Sequence, residues 1–264
     1  MTKPIIILFL DGVGLGDADP EVNPFMQVEL PTLRSLLGLS HLTREAAGTV
    51  TSQAALLGLD ARLGMDGLPQ SATGQTTILT GQNAPQLLGE HYGPYPNEPL
   101  RVLLAKHSLF KSVMEAGRRV AYANAYPRRF LDRLTRGKGR LSANTQAARL
   151  AGLKLRTGED LRRGQALSAL MSNEFWPEPD FALPPLSTYD AGRQLVALAN
   201  DYDLTFFEFW YSDLLGHKQD RAESLKILRL LDDFLAGIVT DLDGLLLVVS
   251  DHGNFEDWTT NKHT

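Results

Sequence analysis

Short apolar runs recur along this chain, and several stop abruptly at an acidic residue. Residues 4–10, "PIIILFL", are unbroken by polar positions and too short for a helix, so they read as a buried strand that ends at Asp11. Residues 202–213, "YDLTFFEFWYSD", read as a second strand ending at Asp213. Residues 244–250, "GLLLVVS", read as a third buried strand, followed by Asp251 and His252. Between these runs the apolar period lengthens to that of a helix. Residues 221–239 give a strongly periodic helix, and 30–38 a helix with Pro near its start and Gly at its end. Residues 73–81 read as a helix closed by Gly81. Residues 108–117 and 188–201 read as helices, followed by strands at 118–126 and 202–213.

Strands that alternate with helices predict an α/β fold with a doubly wound, mostly parallel sheet and helices on both faces. The interval of about 90–187, bracketed by "GPYP" and the Pro-rich "PEPDFALPPL", predicts a small inserted cap. Ligands of such sheets gather at the carboxyl ends of the strands. Three apolar runs deliver Asp11, Asp213 and the Asp251–His252 pair to that edge, which makes it the candidate site.

Composition narrows the chemistry. The 264 residues are 43% hydrophobic and 22% charged, which suits one sizeable globular domain rather than a disordered chain. There is no Cys, so disulfides and thiolate metal sites are excluded and any metal must be held by His and carboxylates. The first apolar run meets Asp11 too early for a signal peptide or a membrane span, so a cytoplasmic protein with no membrane partner is expected. The net charge of −5 hides an asymmetry: residues 101–163 carry 16 Lys/Arg against 4 Asp/Glu, leaving an acidic remainder. A basic segment beside an acidic body suits an anionic substrate, with Arg128, Arg129 and Arg140 as candidate clamps. The same run would also serve as a solvated helix surface. A nucleic-acid partner is not expected, because few aromatic residues are interleaved with the basic ones.

Each motif also admits a plainer role. "LDGVGLGD" follows a strand, yet Asp17 stands where a dinucleotide fingerprint needs its third Gly. "DLLGHKQD" places Asp213 and His217 four residues apart, a donor pair suited to Zn, Mn or Fe-type metals but common by chance. Ser71, in "SATGQTTILTG", precedes the helix start; there it serves either as a nucleophile beside free N–H groups or as a helix cap.

Taken together, "LDGVG", "SATGQTTILTG", "DLLGH", "SDHGN" and the closing "HT" resemble, in order and context, the alkaline phosphatase superfamily of metalloenzymes, and within it the branch of cofactor-independent phosphoglycerate mutases and phosphopentomutases. Ser71 stands ten residues before Gly81, the nucleophile's spacing in related families. The resemblance implies two divalent ions (Mn or Zn, with Mg as a third choice). Asp213, His217 and His263 would hold one ion; Asp11, Ser71, Asp251 and His252 would hold the other. It also implies a Ser71 nucleophile, a phosphoserine intermediate and a small phosphorylated substrate. Transfer of the phosphoryl group to water would make a phosphatase, and transfer to a second substrate hydroxyl a mutase; a member that binds metal and phosphate without turnover is the remaining alternative. The inserted segment is smaller than the domain of family mutases, which favours hydrolysis. His263 lies one residue before the last, so either native residues follow Thr264 or another element pins the tail.

Overall fold

The computed structural model describes residues 3–39, 41–174, 176–178 and 181–264. Two residues of the Pro-rich stretch, 179 and 180, lie outside the described residues. The strands are β1 (Ile5–Leu10), β2 (Val120–Tyr122), β3 (Ala125–Tyr126), β4 (Arg156–Thr157), β5 (Leu204–Phe209) and β6 (Leu245–Val249). The helices are α1 (Pro31–Leu37), α2 (Ser71–Thr80), α3 (Ala84–Leu88), α4 (Glu98–His107), α5 (Leu109–Glu115) and α6 (Arg128–Thr135). They continue with α7 (Ala143–Leu150), α8 (Gly158–Arg162), α9 (Thr188–Ala199), α10 (Tyr211–Lys218) and α11 (Arg221–Asp241).

The main sheet is parallel throughout, in the order β2–β5–β1–β6. Successive side chains of a strand point to opposite faces, and on β1 both faces are apolar. Ile6, Leu8 and Leu10 join Phe207 and Phe209 in a core shared with α9 and α11. Ile7 and Phe9 join Leu204 and Phe206 in a second core with α2, α4, α5 and α7. Helices therefore cover both faces, and the sequence expectation of an α/β doubly wound sheet holds. Each fully buried Leu, Ile or Phe stabilises such a core by about 1.5–3 kcal/mol. Among the described residues no helix is long and apolar enough to cross a membrane.

Three local readings need correction. The strand expected over 118–126 is two strands in different sheets. Pairing with β5 runs through Tyr122 and Ala123, then the Asn124 side chain takes over: its Oδ1 accepts from Glu208 N–H and its Nδ2 donates to Glu208 O, at 2.8 and 2.7 Å. The backbone is thereby freed to pair β3 with β4. The strand expected over 202–213 stops at Phe209, where its register with Leu10 ends, and Asp213 and His217 lie instead on α10. Finally, β6 is not buried. It forms the sheet edge, with Leu245, Leu247 and Val248 at 50%, 41% and 47% exposure.

The interval 90–187 divides in two. Its first part supplies α4, α5 and β2 to the main sheet and its covering layer. Further on, Ala125, Leu161, Ala166 and Trp176 close a small separate core beside β3 and β4.

Candidate metal centre

Every strand-end residue expected at the site arrives there. Asp11 leaves β1, and its backbone N–H donates to Phe209 O on β5 at 2.9 Å. Gly12 follows with φ +70°, a left-handed conformation that favours glycine, and a Cβ there would lie 2.8 Å from Asp213 Oδ1. Asp251 and His252 leave β6 with side chains wholly buried. Ser71 opens α2 as its first helical residue, with Gln70 at the N-cap position, rather than preceding the helix as its sequence context suggested. The helix can press against Asp251 because Gly74 has no side chain: a Cβ there would lie 2.8 Å from Asp251 Cβ.

The donor atoms fall into two overlapping groups. Asp11, Asp251 and His252 offer ligand atoms within 4.8 Å of one another, and so do Asp213, His252 and His263. His252 Nε2 is 3.5 Å from both Asp11 Oδ1 and Asp251 Oδ2, and 3.1 Å from Ser71 Oγ. His263 Nε2 is 3.6 Å from Asp213 Oδ1 and 3.1 Å from His217 Nε2, and His217 Nε2 is 3.4 Å from Asp213 Oδ2. His217 thus joins the second group, while His252 stands between the two, stacked on His263 with ring centroids 3.7 Å apart.

All three imidazoles are turned the same way. His252 Nδ1 lies 2.9 Å from Gly253 O, His263 Nδ1 2.8 Å from Pro69 O, and His217 Nδ1 2.8 Å from Asn261 O. A carbonyl oxygen only accepts, so each Nδ1 carries the proton and each Nε2 presents a lone pair inward. Metal-ligating histidines are oriented by this kind of outer partner.

The electrostatics ask for a cation. Burial, and then the neighbouring Asp251 charge, hold the Asp11 carboxyl well above the usual carboxylate range. Burial raises Asp251 as well. Glu208, on the α2 and α7 side of β5, is raised by burial despite bonds from Tyr122 Oη at 2.5 Å and Asn144 Nδ2 at 3.0 Å. Burial, and then the neighbouring His252, lower His263 to about 4, so it is neutral at pH 7. Asp11 Oδ1 is buried without a hydrogen-bond partner. An orphaned carboxylate oxygen, clustered acids and inward lone pairs fit a divalent cation held by nitrogen and oxygen donors.

The closing residues are pinned. Gly253 and Thr264 exchange backbone hydrogen bonds of 3.0 and 3.1 Å. Thr264 Oγ1 donates to Glu256 Oε1 at 2.5 Å, and Glu256 Oε2 accepts from Gly14 and Asn254 N–H at 2.8 and 2.9 Å. Asn254 Nδ2 in turn donates to Asp213 Oδ1 at 2.8 Å. Glu256, Asn254 and Gln75 escaped the sequence reading; only the position of Gln75, one helical turn after Ser71, offered a signal. The arginines stand apart. Arg128 donates its backbone N–H to Glu178 Oε1 at 2.9 Å, α6 buries none of its described residues, and Arg140 lies over the Tyr95 ring at 5.7 Å. Among the described residues, none of Arg128, Arg129 and Arg140 pairs with a carboxylate of the two groups. A cleft of about 530 Å³, lined by Gln70, Asp66, His91 and Tyr92, opens beside the start of α2.

The model of the metalloenzyme superfamily matches residues 180–264. The 2,3-bisphosphoglycerate-independent phosphoglycerate mutase of Coxiella burnetii (strain RSA 493 / Nine Mile phase I) is 32% identical over 90 residues, covering 31% of this chain and 17% of the mutase. The mutase of the same description from Methylobacillus flagellatus is 31% identical over 90 residues, with the same coverage. The chain thus matches less than a fifth of the length of these relatives. Among solved structures, the PH0037 protein from Pyrococcus horikoshii aligns with TM-score 0.49 and 13% identity, over 100% of this chain and 82% of that one. Alkaline phosphatase from the Antarctic bacterium TAB5 aligns with TM-score 0.48 and 12% identity, over 100% and 89%. The match to the metalloenzyme superfamily model thus spans the carboxyl-terminal third of the chain, which carries Asp213, His217, Asp251, His252 and His263.

Proposed function

We propose that the protein is a two-metal phosphoryl-transfer enzyme, a phosphate ester hydrolase in which Ser71 is the nucleophile. The observation that carries this reading is the convergence of three Nε2 lone pairs and three carboxylates in two overlapping groups, joined by the His252 Nε2 that lies 3.1 Å from the Ser71 hydroxyl. An inner set of Asp11, Ser71, Asp251 and His252 would hold one divalent ion; an outer set of Asp213, His217 and His263 would hold the other. Mn or Zn suits these donors best, and Mg is the third choice. When bound, two such ions neutralise charge that develops on the phosphoryl oxygens and ease ionisation of the nucleophile.

The chain's own groups do the rest. The Ser71 hydroxyl donates to His252 Nε2 in the resting site, 3.1 Å away. The start of α2 directs free backbone N–H groups towards the place a phosphoryl group would take. Attack forms the Ser71 Oγ–phosphorus bond as the ester oxygen–phosphorus bond breaks, and the departing alcohol leaves with a proton. Water then attacks phosphorus, freeing inorganic phosphate and restoring the hydroxyl. Asp11 and Asp251 stay fixed throughout, so little reorganisation accompanies the charge movement.

A phosphomutase acting on a phosphoglycerate or sugar phosphate is the second reading, favoured by the likeness to phosphoglycerate mutases. A panel of phosphorylated metabolites assayed with Mn, Zn and Mg separates the two if free phosphate and isomerised product are both followed. Metal-dependent phosphate release without isomer supports the hydrolase, and isomer without release the mutase. Metal and phosphate binding with neither product leaves a non-catalytic member.

A further inference from the structure

Gln75 is 1% exposed, and both ends of its side-chain amide are engaged. Its Nε2 donates to Asp11 Oδ2 at 3.2 Å and to Asp251 Oδ2 at 3.3 Å, so one NH₂ group holds the two carboxylates of the inner set. Its Oε1 accepts the backbone N–H of Ala143, the first residue of α7, at 3.1 Å. Both carboxylates would otherwise repel each other in a buried site. An amide donor shared between them offsets that repulsion without adding charge of its own. The acceptor end reaches an N–H that has no partner within its own helix. No other side chain has a described hydrogen bond to both inner carboxylates and to a neighbouring helix. We propose that Gln75 is a positioning residue: it sets Asp11 and Asp251 in their ion-ready arrangement and couples the loading of that set to the seating of α7.

The proposal rests on the metal reading above. It implies that an ion between Asp11 and Asp251 locks the carboxylates that Gln75 grips in that arrangement, and so firms the hold on Ala143. The test uses Gln75→Met, which keeps the volume and removes every hydrogen bond. A second variant, Leu79→Ala, loosens the same helix by opening a cavity at a residue 2% exposed, without touching the carboxylates. Manganese binding to the metal-free proteins is measured by calorimetry, with melting temperature and amide exchange at Ala143 in parallel. Gln75→Met is expected to weaken the inner manganese site about 10–100-fold, the range typical of outer-shell partners. Manganese should slow exchange at Ala143 in the wild type and have no effect there in Gln75→Met. Leu79→Ala should lower the melting temperature with manganese affinity unchanged.

If the two variants lose affinity in proportion to their loss of melting temperature, Gln75 is merely structural and the proposal fails. It also fails if Gln75→Met binds manganese as the wild type does. If the wild type binds no manganese, zinc or magnesium, the metal reading itself fails, and with it the coupling.

Discussion

The inner and outer donor sets use the same chemistry in different surroundings. In the inner set, Asp251 and His252 are wholly buried and Asp11 is 11% exposed at its side chain. It is gripped from two elements: α2, through Ser71 and the Gln75 amide, and the turn after β1. In the outer set, His217 is 43% and Asp213 19% exposed, and His263 depends on contacts made by the closing residues. Burial concentrates unrelieved negative charge in the inner set, whereas water shares the work in the outer one. A site whose donors are fixed before binding gives up less entropy on loading, so the inner ion should be held more tightly and the outer one lost first to a chelator.

The largest effect that bears on this contrast is expected at Ser71. Ser71→Ala should keep the fold, as judged by circular dichroism, and cut phosphate release by at least about a thousandfold, because a nucleophile and its partners act as one unit. Near-normal turnover on a verified substrate would remove Ser71 from the mechanism. Next is Asp251→Asn, which should abolish the tight step of a calorimetric metal titration and leave the weak one. His217→Ala is the converse experiment. The weak step should be lost or fall beyond the about 10–100-fold typical of outer-shell partners, with the tight step intact; equal weakening of both steps would mean that the two sets do not load separately.

Protons sharpen the contrast further. Asp11 and Asp251 are raised, chiefly by burial, so each retains its proton above the ordinary carboxylate range near 4 and must release it to bind a cation. The metal-free fold should therefore lose stability as the pH rises through those raised values, and inner-set affinity should increase over the same interval. Titration in buffers of different ionisation enthalpy should register proton release that falls in Asp11→Asn. His263 has the opposite sign. Its value of about 4 lies below the unfolded value near 6.5, so its contribution is complete above about 6.5 and is lost as the pH falls towards 4. The smallest effect is expected from joint replacement of Arg128 and Arg129 by Gln, a few-fold rise in KM with an unchanged melting temperature. These exposed arginines would act through long-range attraction, and an identical KM across ionic strengths would relegate them to ordinary surface.

The chain's apolar pattern was enough to bring the strand-end candidates to one sheet edge. Runs ending at Asp11 and at Asp251–His252 can emerge from a parallel sheet only at its carboxyl edge, and strand direction alone brings those residues together. The same pattern misjudged β6, because a continuous apolar run looks alike at the centre of a sheet and at its edge. It also extended β5 through Asp213. What ends that strand is the length of its neighbour β1, which no local period encodes.

Local sequence therefore determined which residue types met at the sheet edge, since period, strand direction and donor chemistry are properties of short segments. Tertiary structure decided how they are held. Gln75 reaches Asp11 across 64 positions and Asp251 across 176, and Thr264 answers Glu256 and Gly253 only once the last loop has folded back. Hydrogen bonds between distant segments leave no periodic trace. They depend on where the packed helices bring a side chain, and that is fixed by the volume and fit of the whole core.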